Sequence, residues 1–117
     1  ATPGRTLVPY ATLFRSRDLT IDKEKFTVLR GQQPIALTPT EFNLLLVLAS
    51  APDRVFSRMQ LVDKVQGGYG FEGYERTIDT HIRNLRKKLE PDPAHPTYIL
   101  TVYGIGYKFD GGNHEES

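Results

Sequence analysis

The chain contains no cysteine, which excludes a disulfide framework, a thiolate metal site and a cysteine nucleophile. That absence fits the cytoplasm, where thiols stay reduced and disulfides are rare. No apolar run approaches the roughly 20 residues that a membrane-spanning helix needs, and no signal-peptide pattern opens the sequence, so no membrane partner is expected. Charge excess is missing as well. Lys+Arg 15 against Asp+Glu 14 leaves a net charge of +1, a balance that says nothing about nucleic acid until clustering is considered. His81, His95 and His114 fall in no metal-ligand spacing, and no nucleophile elbow occurs. Neither a metal, a cofactor nor an enzymatic activity is therefore expected. Gly68-Tyr69-Gly70-Phe71-Glu72-Gly73 satisfies G-x-G-x-x-G, but a dinucleotide fingerprint needs a preceding strand inside a βαβ unit, and here a helical pattern precedes it. There is no internal repeat, and 117 residues are enough for one domain with its own core.

What the sequence does contain is one strongly patterned stretch, Glu75 to Leu89. At about 100° per residue, Ile78, Ile82, Leu85 and Leu89 fall within about 60° of each other, a narrow apolar seam that must face a core. Arg76, Thr80, Arg83 and Lys87 lie opposite, with Thr77 and Asn84 to one side. Asp79 and Arg86 occupy one flank, His81 and Lys88 the other. Five cations against Glu75 and Asp79 give the stretch a local charge of +3. Such a face is either an ordinary solvated surface or a nucleic-acid interface: cations neutralise phosphates, while Thr, Asn and Asp read base edges in a major groove.

The remainder of the chain supplies the frame. Residues 1–11, with two prolines and no periodicity, read as a linker. Thr12–Phe14, Leu19–Ile21, Phe26–Leu29 and Ile35–Leu37 are short candidate strands separated by polar turns, the pattern of a four-stranded antiparallel meander. Thr38-Pro39-Thr40-Glu41 forms a capping box ahead of a leucine-rich helix that is apolar nearly all round, and Pro52 and Asp53 end it. Val55 and Phe56 suggest a short strand. Ser57-Arg58-Met59-Gln60 caps a second helix whose buried side is expected to be Met59, Leu61, Val62 and Val65. The loop from Gln66 to Tyr74 carries Tyr69, Phe71 and Tyr74, which either contact another protein or fold back on the domain. Pro91 and Pro93 terminate the patterned helix, and His95 is expected to be solvated. Tyr98–Tyr103 and Tyr107–Phe109 flank Gly104-Ile105-Gly106 as a hairpin with a glycine turn; a plain closing hairpin would pack Ile99, Val102 and Ile105 inward. Residues 110–117 lack an apolar anchor and read as a disordered tail.

The expected fold is thus α+β, a winged helix-turn-helix: an N-terminal four-stranded antiparallel sheet, three helices and a C-terminal β-hairpin wing, spanning residues 12–109. At this point the residues carry a resemblance. Arg76 to Leu89, RTIDTHIRNLRKKL, resembles the recognition helix of the OmpR/PhoB family of winged-helix effector domains. Thr101-Val102-Tyr103-Gly104-Ile105-Gly106-Tyr107 resembles that family's wing, and Leu37-Thr38-Pro39-Thr40-Glu41-Phe42 its first-helix opening.

The resemblance implies a cytoplasmic DNA-binding output domain of a two-component response regulator, reached in a phosphorelay from a sensor histidine kinase through a receiver domain absent from this sequence. It implies binding to double-stranded DNA at direct-repeat sites, with a second copy of the chain as a head-to-tail dimer. The loop between the second and third helices, with Tyr69, Phe71, Glu72 and Tyr74, would meet RNA polymerase. Arg76, Arg83 and His81 would hold phosphates; Thr77, Asp79, Thr80, Asn84 and Arg86 would face bases or the groove wall. The helical wheel by itself favours Thr80, Arg83, Asn84 and Lys87. In the wing, Thr101, Gly104 and Tyr107 would meet phosphate, while Tyr103 stands where many relatives have a minor-groove arginine. Two other readings stand beside this one, a winged-helix protein-interaction module and, last, an enzyme.

Overall fold

The computed structural model describes residues 13–66 and 74–111, without the side chains of 13, 14, 16, 66 and 74–76. The expected linker, residues 112–117 of the expected 110–117 tail and most of the Gln66–Tyr74 loop lie outside the described residues, while Asp110 and Gly111, expected in that tail, are held by bonds from their N–H groups to the Tyr98 carbonyl (2.8 Å) and Asp53 Oδ1 (3.1 Å). The chain divides after Ala36 into two compact units.

The first unit is the antiparallel meander, with strands in sequence order: β1 (Leu13–Ser16), β2 (Leu19–Asp22), β3 (Thr27–Arg30) and β4 (Gln33–Pro34). Its turns set the registers. Ser16 pairs with Leu19 across a two-residue turn in which Arg17 has φ 55°. Arg30 pairs with Gln33 around Gly31 at φ 63°, a left-handed backbone that glycine adopts without steric cost. Between β2 and β3, the Asp22 carboxylate accepts the backbone N–H groups of Glu24 (3.0 Å) and Lys25 (3.1 Å), an Asx-type turn. Leu19 and Ile21 alternate onto one face of β2, Val28 lies opposite Ile21, and all three are buried.

Two expectations fail here. Phe26 is no strand residue: it closes the β2–β3 turn at φ 55° and is 64% exposed. The fourth strand is Gln33–Pro34 rather than Ile35–Leu37, because the tight turn at Gly31 brings Gln33 directly opposite Arg30. Pro34, which has no N–H to donate, sits where an edge strand tolerates it. Ile35 adds one further bond, donating its N–H to the Val28 carbonyl at 2.9 Å.

The second unit holds α1 (Pro39–Ala49), β5 (Phe56–Ser57), α2 (Arg58–Gln66), α3 (Tyr74–Leu89), β6 (Ile99–Val102) and β7 (Gly106–Phe109). Both capping boxes form. Glu41 N–H donates to Thr38 Oγ1 at 3.2 Å, and the Glu41 carboxylate accepts the Thr38 N–H at 3.1 Å. Gln60 N–H donates to Ser57 Oγ at 3.0 Å, and the Gln60 side chain accepts the Ser57 N–H at 2.8 Å. Each box satisfies two amides at a helix start that would otherwise lack a partner. The core is built from Phe42, Leu44, Leu45 and Leu48 of α1, Leu61 and Val62 of α2, the Ile78/Ile82/Leu85/Leu89 seam of α3, and Phe56, Ile99 and Phe109 of the sheet. Met59, expected inside, is 43% exposed.

Candidate nucleic-acid interface

The seam of α3 fixes what its other face presents. With Ile78, Ile82, Leu85 and Leu89 each at most 2% exposed, Thr80, Arg83 and Lys87 stand outward in solvent, and Thr77, His81 and Asn84 are half-buried at the margins. The Arg76 side chain lies outside the described residues. The two flanking residues behave differently from the rest. Asp79 accepts the Tyr107 hydroxyl on Oδ1 at 2.7 Å and Arg58 Nη1 on Oδ2 at 2.8 Å. Arg86 turns toward the wing, donating to the Ile99 carbonyl at 2.8 and 3.1 Å and to Thr101 Oγ1 at 2.8 Å. Its guanidinium also lies over the Tyr107 ring, 5.5 Å from the centroid, a cation–π contact. So of the residues expected at bases or phosphates, four (Asp79, Arg86, Thr101 and Tyr107) are brought into one polar network joining α3 to the wing.

Electrostatics follow the geometry. Burial, the hydrogen bond to Asp79 and the Asp79 charge together push the Tyr107 phenol up to about 12, against smaller opposing effects of Arg86 and Arg58. Partial burial draws Arg86 below its usual value, while Tyr107, Glu90 and Tyr103 resist that shift.

The wing is a three-stranded sheet rather than a bare hairpin, in the order β5-β7-β6. β6 and β7 join through Tyr103-Gly104-Ile105, where Ile105 N–H donates to the Val102 carbonyl at 2.9 Å and Gly104 has φ 81°. Positive φ at the third residue of such a turn is the type II requirement that favours glycine. Gly106 serves a different need: a Cβ there would lie 1.9 Å from the Phe56 carbonyl oxygen, so only glycine lets β5 pair with β7. Tyr103 is 90% and Ile105 60% exposed at the tip, so Ile105 does not pack inward as a plain closing hairpin would have it.

At the foot of the wing sits Glu90, a residue the sequence placed in a polar loop. It is 3% exposed, and its carboxylate accepts the backbone N–H groups of Thr97 (2.7 Å), Tyr98 (3.0 Å) and Ile99 (2.9 Å). It thereby ties the end of α3 to the start of β6. Arg58 was also missed as a functional residue. A cation in the first turn of a helix opposes the helix dipole, which in retrospect signals an acidic partner. His95 is exposed, with its ring nitrogen 3.0 Å from Asp92.

Two open depressions border this network. One of about 270 Å³ runs between Arg58, Asp79 and the wing residues 101–107. The other, about 420 Å³, is lined by Arg83, Arg86, Lys87 and Tyr107, with Asp79, Pro93 and Ala94. Among the described residues no group of acids and histidines is placed to hold a metal, and no helix is long and apolar enough to cross a membrane.

The sequence and fold that present this face are shared with known proteins. The family described as transcriptional regulatory protein, C terminal, matches residues 31–109. The chain belongs to the OmpR/PhoB family of winged-helix effector domains. It is 49% identical over 92 residues to the uncharacterised transcriptional regulatory protein YclJ of Bacillus subtilis, covering 78% of this chain and 39% of that protein. It is 42% identical over 98 residues to the DNA-binding response regulator MtrA of Mycobacterium tuberculosis, covering 84% of this chain and 42% of MtrA. The chain thus spans about two fifths of the length of these curated relatives. Among solved family members, response regulator DrrB of Thermotoga maritima superposes with a TM-score of 0.77 at 37% identity, over 86% of this chain and 45% of DrrB. The DNA-binding domain of Klebsiella pneumoniae RstA, solved in complex with the RstA box, also gives 0.77, at 31% identity over 85% of this chain and 97% of that one.

Proposed function

We propose that this chain is the DNA-binding output domain of a two-component response regulator, acting in the cytoplasm on double-stranded DNA to regulate transcription. The observation that carries the reading is the outward face of α3, where Thr80, Arg83 and Lys87 are exposed beside the wing. In this reading α3 lies in the major groove. Arg83, Lys87 and Arg76 neutralise phosphates, with His81 at the margin, and Thr77, Thr80 and Asn84 meet base edges. Asparagine favours adenine, so adenine is expected opposite Asn84. The wing, with Thr101, Gly104 and Tyr107, follows the neighbouring backbone, and its uncharged tip residue Tyr103 reaches the minor groove by contact rather than by charge. The loop bearing Tyr69, Phe71, Glu72 and Tyr74 contacts RNA polymerase. Two copies dock head to tail on a direct repeat, and a sensor kinase acts through a receiver domain that the longer relatives have room for.

The test is selection of duplexes from a randomised pool, followed by salt titration of the winning site. Arg83→Ala is expected to weaken binding at every sequence and to reduce the slope of log K against log salt by about one unit, the signature of one lost phosphate contact. An unchanged slope would sink the proposed docking. Recovery of no duplex at low salt would favour instead a protein-interaction module, whose natural contact would be the exposed tip at Tyr103 and Ile105.

A further inference from the structure

Asp79 is an oddity on a surface meant for phosphates, because a carboxylate there repels the ligand. Both of its oxygens are engaged, Oδ1 by the Tyr107 hydroxyl and Oδ2 by Arg58. Each oxygen keeps a second lone pair, but the two donors already set the direction in which the carboxylate points. The three residues come from separate elements: Arg58 opens α2, Asp79 lies in the second turn of α3, and Tyr107 is in the middle of β7. A second tie runs in parallel from Arg86 to Thr101 and the Ile99 carbonyl on β6. One tie leaves a hinge, whereas two ties to two strands fix a rotation.

We propose that Asp79 is a positioning residue for DNA recognition: through Tyr107 and Arg58 it holds the wing and the start of α2 at a set angle to α3, so that the groove-reading elements dock as one body. This rests on the DNA-binding reading above. Folding stability does not account for the arrangement. The Asp79 and Arg58 side chains are 41% and 44% exposed, and solvent-reached ion pairs of this kind contribute little to stability. What such a tie does supply is geometry, and a small displacement of docked elements costs specific contacts while sparing the phosphate attraction that acts at any sequence.

The experiment uses the whole chain with Asp79→Asn, Tyr107→Phe and the double variant. Each is titrated against the duplex recovered by the wild type and a scrambled duplex of equal length. Each single variant is expected to lower the specific-over-scrambled ratio about tenfold, the scale of one lost charge-assisted bond. The salt slope should stay at the wild-type value, and the loss should be shared by all base positions. The double variant should be no worse than Asp79→Asn alone, since the Tyr107 hydroxyl acts through Asp79. Amide hydrogen exchange in the free chain should quicken in residues 99–109 and stay unchanged in α1. A changed preference at one base pair in Asp79→Asn, with Tyr107→Phe unaffected, would make Asp79 a direct reader and overturn the proposal. Wild-type specificity in both single variants would overturn it too. If the wild type itself enriches no duplex, the DNA reading fails and the positioning role with it, while the exchange measurement still decides whether the tie holds the wing.

Discussion

Glu41 shows how one side chain can serve two elements. It closes the capping box of α1 and accepts Lys88 Nζ from α3 at 2.6 Å, while itself 3% exposed. Burial pushes its carboxyl up, but the Lys88 hydrogen bond, the Thr38 contacts and the Lys88 charge outweigh that and hold it below its ordinary value of 4.5. A depressed carboxyl stabilises the fold above its unfolded-state value and loses that contribution as pH falls through the folded one. Lys88→Met would leave Glu41 buried without its cation. With the Lys88 side chain 38% exposed, solvent screens part of the loss, and about 1–2 kcal/mol is expected at pH 7. Urea melts should show the gap between wild type and variant shrinking as pH drops below about 4.5, since the protonated carboxyl no longer distinguishes them. A gap that stays constant down to pH 2 would show that the pair carries none of it.

Among the elements, the wing gives the sharpest contrast, between two glycines two positions apart. Gly104 has open space where a side chain would go, and only its φ of 81° resists substitution. Gly106 has an ordinary φ, but its backbone lies against the Phe56 carbonyl. Gly104→Ala is therefore expected to cost about 1 kcal/mol, the left-handed penalty alone. Gly106→Ala must break the β5–β7 pairing or displace the strand, and should cost more. Thermal melting should rank wild type above Gly104→Ala above Gly106→Ala, with hydrogen exchange quickened at Phe56 and Ser57 only in the latter. The reverse order would mean that β5 contributes nothing. Sequence periodicity could see the hairpin and its glycine turn, because both are local. It could not see that Phe56–Ser57 joins as a third strand, since pairing to Tyr107 and Gly106 spans some fifty residues. The same limit hid the fourth strand, whose two residues are set by a turn register rather than by alternation. The α3 seam and both capping boxes were legible because each is written within a few turns of one helix. At the site, Thr80, Arg83 and Lys87 were legible as an outward stripe for that reason. Arg58, Glu90 and the inward turn of Arg86 were not, because each depends on partners 7 to 21 residues away.

At the scale of the chain, the head-to-tail pairing proposed above fits the charge. A net charge of +1 gives no broad electrostatic attraction, so a single domain depends on the few exposed cations of α3. Each phosphate contact contributes a slope of only about −0.9 in log K against log salt. Two domains arranged head to tail on a direct repeat would double that number without requiring a more basic chain, and occupancy of the first site would raise the effective concentration at the second. Head-to-tail packing is a translation along the duplex, so both copies must meet the same face of the helix. Half-site centres are then expected about one turn, 10–10.5 base pairs, apart. Inserting about 5 base pairs between half-sites would rotate the second copy to the opposite face. Binding titrations should then lose cooperativity while each half-site keeps its own affinity and salt slope. Deleting one half-site should give the same single-site affinity as the 5-base-pair insertion. Cooperativity that survived the half-turn insertion would mean that the copies do not touch, and a symmetric, inverted pair of enriched half-sites would replace the translational arrangement with a two-fold one.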